Sequence, residues 1–256
     1  MDLRPLATTG IDVSPIGLGT VKLGRDAGLK YAVPARIPDD TETIALLRAA
    51  DQLGVNLIDT APAYGTSEER LGTLLPQVAP RDQWVICTKV GEVFDPLTET
   101  SSYDFSPDAI RGSIHRSLTR LRTDHLDIAL LHFASSSDLD QRTLSDGQAL
   151  ATLRDLQREG LIRAIGASTG TVAGGLLAAA HCQVVMVTLN ALDQSQVAVV
   201  HAAHRAGCGV LLKKPLASGK AVPRTLKPLL ATPGVTSAII GTTNPANLKA
   251  AVEALS

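Results

Sequence analysis

The chain has 256 residues, with 24 Lys+Arg against 25 Asp+Glu, for a formal charge of −1. Hydrophobic residues make up 45% and charged residues 19%, enough for a large core and incompatible with a disordered chain. Near-neutral charge and only 3% aromatic residues exclude a nucleic-acid binder that relies on phosphate contacts and base stacking.

The N-terminus, Met1-Asp2-Leu3-Arg4-Pro5, shows no apolar run behind a basic start, so no signal peptide is expected. The most apolar stretch, 175–189, is interrupted by His181, Gln183 and Thr188 and cannot span a bilayer. Cys87, Cys182 and Cys208 are odd in number and widely spaced, which suits free thiols in a reducing compartment. The expected setting is cytoplasmic, with no membrane or nucleic-acid partner.

Residues 3–7 and 11–13, around Thr9-Gly10, predict a small hairpin. Short apolar runs then recur at 15–20, 56–60, 84–89, 127–132, 162–168, 184–190, 209–213 and 237–240. Most are continuously apolar, as expected of parallel strands covered on both faces. Helical patterns fill the intervals. Asp39 three residues before Glu42 predicts a capping box, with Ile44, Leu47 and Leu53 on one stripe and Gly54 as the stop. Ser106-Pro107 opens a helix whose buried face is Ile110, Ile114, Leu118 and Leu121. Leu150, Leu153 and Leu156 before Gly160 repeat the scheme, as do Leu248, Val252 and Leu255 after Asn244-Pro245.

Eight strand–helix units in this length predict one TIM barrel domain over 1–256. A doubly wound open sheet uses the same alternation and is the rival. Gly17, Gly19 and Gly24 miss the dinucleotide fingerprint, since Lys22 stands where its third glycine belongs, and no P-loop is present.

Barrel chemistry sits at the C-terminal ends of the strands. Asp59, Lys89 and His132 each end an apolar run, and Tyr64 lies five residues beyond Asp59. A phenol has a reference pKa near 10, and an adjacent ammonium is expected to lower it toward the operating range. A carboxylate would hold that ammonium, and a neutral imidazole would orient a carbonyl. The four together suit protonation of a carbonyl oxygen while hydride arrives at carbon. His201 and His204, three apart on a helix, read as a solvated face, and no metal site is expected. No nucleophile elbow surrounds Ser168 or Ser218.

Taken with these residues, Leu57-Ile58-Asp59-Thr60-Ala61-Pro62-Ala63-Tyr64-Gly65, Thr88-Lys89, Leu130-Leu131-His132 and Gly166-Ala167-Ser168 make the chain resemble the aldo-keto reductase superfamily nearly end to end. The resemblance implies a TIM barrel that binds NAD(P)(H) without a Rossmann domain. It makes Tyr64 the general acid in reduction and general base in oxidation, tuned by Lys89 and Asp59, with His132 orienting the carbonyl. It places Gly19, Thr20 and Val21 near the nicotinamide, Ser168 on the carboxamide, and Leu216 and Ser218 along the pyrophosphate. Gly241, Thr242 and Thr243 fall near the adenosine.

Several positions depart from the family pattern. Thr169 stands for the usual Asn, Met186 for a Gln, and Lys213 for the aromatic residue that stacks on the nicotinamide. Asn247 replaces a basic contact to the 2′-phosphate, and Ala250-Ala251 replaces a Glu-Asn pair. NADPH is favoured over NADH. The polar segment 134–137 and the absence of a tail after the last helix imply an open pocket. The segment 91–105 is similar to that of sugar-oxidising members. The leading expectation is an NAD(P)H-dependent reductase of aldehyde and ketone carbonyls, acting as a monomer or weak homo-oligomer. An aldose (pyranose) dehydrogenase running oxidatively and a non-catalytic nucleotide-binding accessory barrel are the alternatives.

Overall fold

A computed structural model describes residues 1–28, 36–133 and 138–255. The hairpin strands β1 (Arg4–Pro5) and β2 (Asp12–Val13) pair antiparallel, as the sequence predicts. The barrel begins at β3 (Ile16–Gly19), followed by α1 (Val21–Gly24), α2 (Asp40–Gln52), β4 (Leu57–Asp59), α3 (Ser67–Leu74) and β5 (Val85–Val90). A second hairpin, β6 (Glu92–Asp95) and β7 (Thr100–Tyr103), precedes α4 (Pro107–Leu121) and β8 (Leu126–His132). Then come α5 (Leu139–Asp146), α6 (Gln148–Arg158), β9 (Ile162–Ser168), α7 (Val172–His181) and β10 (Val184–Thr188). Last are α8 (Val197–Ala206), β11 (Gly209–Lys213), α9 (Leu226–Leu230), β12 (Val235–Gly241) and α10 (Pro245–Glu253).

Eight strands close in the order β3-β4-β5-β8-β9-β10-β11-β12 and back to β3, every pair parallel. Closure rules out the open doubly wound sheet and gives the expected (β/α)8 barrel. All eight expected strands are present, with ends moved by up to two residues. The β6–β7 hairpin lies in the segment 91–105, where the sequence predicts no strands, because Glu92, Asp95, Ser101 and Ser102 carry no apolar alternation.

Period-two alternation divides the core. Leu57, Val85, Cys87, Ile128, Leu130, Ala164, Met186, Leu211 and Ile239 fill the interior together with Leu6, Ile11 and Val13 of the first hairpin. That hairpin therefore plugs the N-terminal end. Ile58, Ile86, Ala129, Leu131, Ile165, Val185, Leu212 and Ile240 face the helices. Both faces being apolar explains why these strands read as unbroken hydrophobic runs.

Caps behave as read. Asp39 and Glu42 exchange both capping-box hydrogen bonds, and Ser106 caps α4. The buried face of α2 is Thr43, Leu46, Leu47 and Ala50 rather than the expected stripe, with Ile44 and Leu53 only partly covered. Among the described residues no helix is long and apolar enough to cross a membrane. The segment 134–137 lies outside the described residues.

Two glycines set the loop that carries Tyr64. A Cβ on Gly24 would lie 2.4 Å from the Tyr64 carbonyl oxygen and 2.1 Å from the Ser67 nitrogen. Gly65 has φ +60°, and its Cβ would lie 2.1 Å from the Gly24 oxygen. These contacts are backbone on backbone and cannot be relieved by a side-chain rotation. Gly24→Ala is expected to destabilise by about 1–3 kcal/mol. Gly112→Ala, inside α4 where a Cβ meets only the Arg116 guanidinium at 3.2 Å, is expected to stabilise by about 0.5–1 kcal/mol. Urea unfolding of the two variants checks the contrast in sign.

Candidate active site

The alternation that fills the interior with Leu57, Cys87 and Leu130 also aims Asp59, Lys89 and His132 inward at the C-terminal mouth. Lys89 is 1% exposed and Asp59 4%. The Lys89 Nζ donates to Asp59 Oδ1 at 2.6 Å and to the Thr60 carbonyl at 2.8 Å. Burial opposes the charge on Lys89, but Asp59, Tyr64 and Cys87 outweigh it and hold the ammonium above its ordinary pKa.

Tyr64 sits in the turn between β4 and α3, its N–H donating to the Ala61 carbonyl. Lys89 Nζ lies 4.7 Å from its ring centroid. The expected lowering of the phenol pKa is not what this geometry produces. Withdrawal from water raises it to about 12, despite the Lys89 ammonium, and Asp59 and Glu92 add to the rise. The main cause is burial, and Asp59, 2.6 Å from the Lys89 ammonium, adds a smaller push in the same direction. Tyr64 therefore carries its proton at neutral pH.

His132 meets Tyr64 edge-on, with ring centroids 6.1 Å apart at 80°. Its Nδ1 lies 2.7 Å from Glu92 Oε2, and both side chains are about one-seventh exposed, at 15% and 14%. Glu92 belongs to β6, and sequence reasoning missed it; its one signal was a carboxylate three residues past Lys89. Ser101 on β7 donates to Glu92 Oε1 at 2.5 Å. Burial alone would raise Glu92, yet His132, Ser101 and Arg25 together hold it at about 2. Arg25 stacks 3.2 Å over the Phe94 ring of the same hairpin and donates to the Ala63 carbonyl, tying hairpin to Tyr64 loop. Burial pushes His132 below its ordinary value; Glu92 resists, while Lys89 and Lys213 add to the lowering.

The expected dinucleotide positions arc around the other side of the mouth. Gly19 pairs with both Gly241 and Asp59. Thr20 is wholly buried and spends its hydroxyl on structure, donating to the Asp59 carbonyl and accepting from Ser67. Val21 opens α1. At the end of β9, Ser168 Oγ accepts from Lys213 Nζ at 3.0 Å, and the same ammonium donates to the Thr169 carbonyl at 2.7 Å. Burial, with the charges of Lys214 and Lys89, brings Lys213 down to about 7. Leu216 and Ser218 lie in a tight turn where Lys214, Ala217 and Ser218 all take positive φ. Thr242 accepts from the Asn244 N–H and from Asn247 Nδ2, beside Thr243 at the start of α10.

This donor set fits a dinucleotide. Thr169 Oγ1, at the end of β9, is buried with no hydrogen-bond partner among the described residues. Such an unspent hydroxyl suits the polar edge of a carboxamide. Ser168, Leu216, Ser218, Gly241 and Thr243 would hold the group. His201 and His204 are exposed on α8, and no group of three metal-ligating side chains occurs among the described residues.

Lys89→Met leaves Asp59 as a buried unpaired charge and is expected to cost about 3–5 kcal/mol, read by urea unfolding. The chain has three tyrosines, and one titration step should vanish in Tyr64→Phe. Ultraviolet difference titration of the two proteins should place that step near pH 12 rather than below 10.

Residues 15–229 match the model of the aldo/keto reductase family. The chain is 36% identical over 174 residues to the NADH-specific methylglyoxal reductase of Escherichia coli, covering 64% of this chain and 51% of that protein. It is 34% identical over 169 residues to the L-galactose dehydrogenase of Arabidopsis thaliana, covering 65% and 48%. It thus spans about half the length of the curated relatives it matches. A solved chain from Pseudomonas aeruginosa, assigned as an aldo-keto reductase, superposes with a TM-score of 0.87 at 45% identity, covering 99% of this chain and 95% of that one. With the family model matched over most of the barrel and the strand-end residues gathered at one mouth, the chain belongs to the aldo/keto reductase family.

Proposed function

We propose that the protein is a nicotinamide-dinucleotide-dependent oxidoreductase that reduces aldehyde or ketone carbonyls to alcohols. The observation that carries this reading is the protonated Tyr64 phenol set above the Lys89 ammonium, which Asp59 holds in place. A reduced nicotinamide supplies hydride when bound. Tyr64 donates its proton to the carbonyl oxygen as negative charge grows there. The phenolate character that develops on Tyr64 is met by Lys89, so the ammonium acts on the transition state more than on the resting acid. Asp59 keeps Lys89 charged and immobile. His132 orients the substrate oxygen.

NADPH is the favoured partner on family resemblance. Asn247, which donates to Thr242 and carries no charge, also admits NADH. A second reading, an aldose dehydrogenase running oxidatively, is favoured by the hairpin that brings Glu92 to His132. It shares the same acid–base residues.

Calorimetric titration with NADPH and NADH, followed by turnover on a carbonyl panel, tests both readings. Tyr64→Phe should keep dinucleotide affinity within about twofold while lowering kcat by at least about 100-fold. Turnover that survives in Tyr64→Phe would overturn the assignment of the acid. Binding without turnover over carbonyls and aldoses would leave the accessory-barrel alternative.

A further inference from the structure

Leu211 faces the barrel interior, so Lys213, two residues further along β11, turns inward at the same mouth as Lys89 and His132. Its side chain is partly exposed. Lys89 is paired with Asp59, but Lys213 makes no ion pair among the described residues. Its Nζ finds two acceptors there, Ser168 Oγ at 3.0 Å and the Thr169 carbonyl at 2.7 Å, both neutral. An ammonium brings three N–H donors and would leave one of them unspent. A neutral amine brings two, satisfies both acceptors, and keeps its lone pair for an incoming atom.

The charged groups around Lys213 favour the same state. Lys214, next in the chain, and Lys89, from β5, oppose its proton. His132, from β8, faces it and is held below its ordinary value, chiefly by burial. Asp59 from β4 and Asp140 from α5 pull the other way, but each is already engaged. Asp59 accepts from Lys89, and Asp140 accepts from the Gly170 and Thr171 N–H groups and the Thr171 hydroxyl. Burial, with these charges, brings the amine to about 7, so a large share of it is neutral at that pH.

We propose that Lys213 is a nucleophilic amine that captures small aldehydes entering the mouth as a reversible imine, a covalent site separate from the proton chemistry of Tyr64. The lone pair attacks the carbonyl carbon and gives a carbinolamine. Water then leaves with the carbonyl oxygen and both amine hydrogens, and the C=N bond remains. Hydrolysis returns lysine and aldehyde. No oxidant, reductant or dinucleotide takes part, so the inference stands apart from the oxidoreductase reading. Lysines removed from water or crowded by a second cation are the ones suited to this step. Lys89 is not, because Asp59 and the Thr60 carbonyl hold its ammonium, which stays above its ordinary pKa.

The test is imine trapping in the full chain with no dinucleotide present. Propionaldehyde is added with sodium cyanoborohydride, whose hydride reduces the imine to a stable secondary amine. Peptide mass spectrometry reads which lysine gained the propyl group, with exposed Lys214 as the internal reference. At pH 7 Lys213 should be modified at least about tenfold faster than Lys214. The excess should shrink near pH 10, where an ordinary lysine amine is itself largely neutral. Unfolding in urea should abolish it. Lys213→Arg, which keeps donors for Ser168 and Thr169 without a nucleophilic amine, should lose the fast adduct in the intact mass. Should that variant fail to fold, the wild-type peptide map decides alone.

Equal modification of Lys213 and Lys214 in the folded chain at pH 7 would overturn the proposal. An excess that persists in urea would do so too, since its source would then be local sequence rather than placement at the mouth. So would a fast adduct that survives in folded Lys213→Arg.

Discussion

The ammonium–carboxylate pair of Lys89 and Asp59 in the throat of the barrel is the constraint around which the mouth is organised. Both groups are almost wholly removed from water, and neither could stay charged there alone. Buried pairs of this kind add little net stability, because desolvation consumes most of the attraction. Their contribution is positional. The pair spans β4 and β5, recruits the Thr60 carbonyl, and puts a fixed charge under Tyr64. Because burial outweighs that charge, the phenol keeps its proton at rest.

The barrel was legible because parallel strands covered on both sides leave unbroken apolar runs, a signal that local sequence carries in full. Asp59, Lys89 and His132 were legible for a related reason: a polar residue closing such a run must lie at the strand's C-terminal end. Local caps, such as Asp39 with Glu42 and Ser106 before Pro107, were equally open to reading. Glu92 was not. Its role depends on a hairpin with polar faces folding back across the mouth, a long-range placement that no nearby pattern encodes. The direction of the Tyr64 shift was also hidden. Sequence names the charges near a group but does not say how much water has been removed from it, and here burial outweighs the ammonium.

The half of the mouth formed by β9, β11 and β12 follows a different logic. Lys213 occupies the place where the family resemblance puts an aromatic ring, and its ammonium grips Ser168 and the Thr169 backbone. A basic group that burial brings down to about 7 stands there, tied to the end of β9. Thr20, which the resemblance places near the nicotinamide, spends its hydroxyl in holding β3, β4 and α3 together. Residue identity alone cannot separate a ligand contact from an internal brace, because both use the same donor.

The plug formed by Leu6, Ile11 and Val13 governs traffic through the molecule. Among the described residues its hydrocarbon stops the floor of the barrel, so the buried charges of Asp59 and Lys89 lie at the end that the plug leaves open.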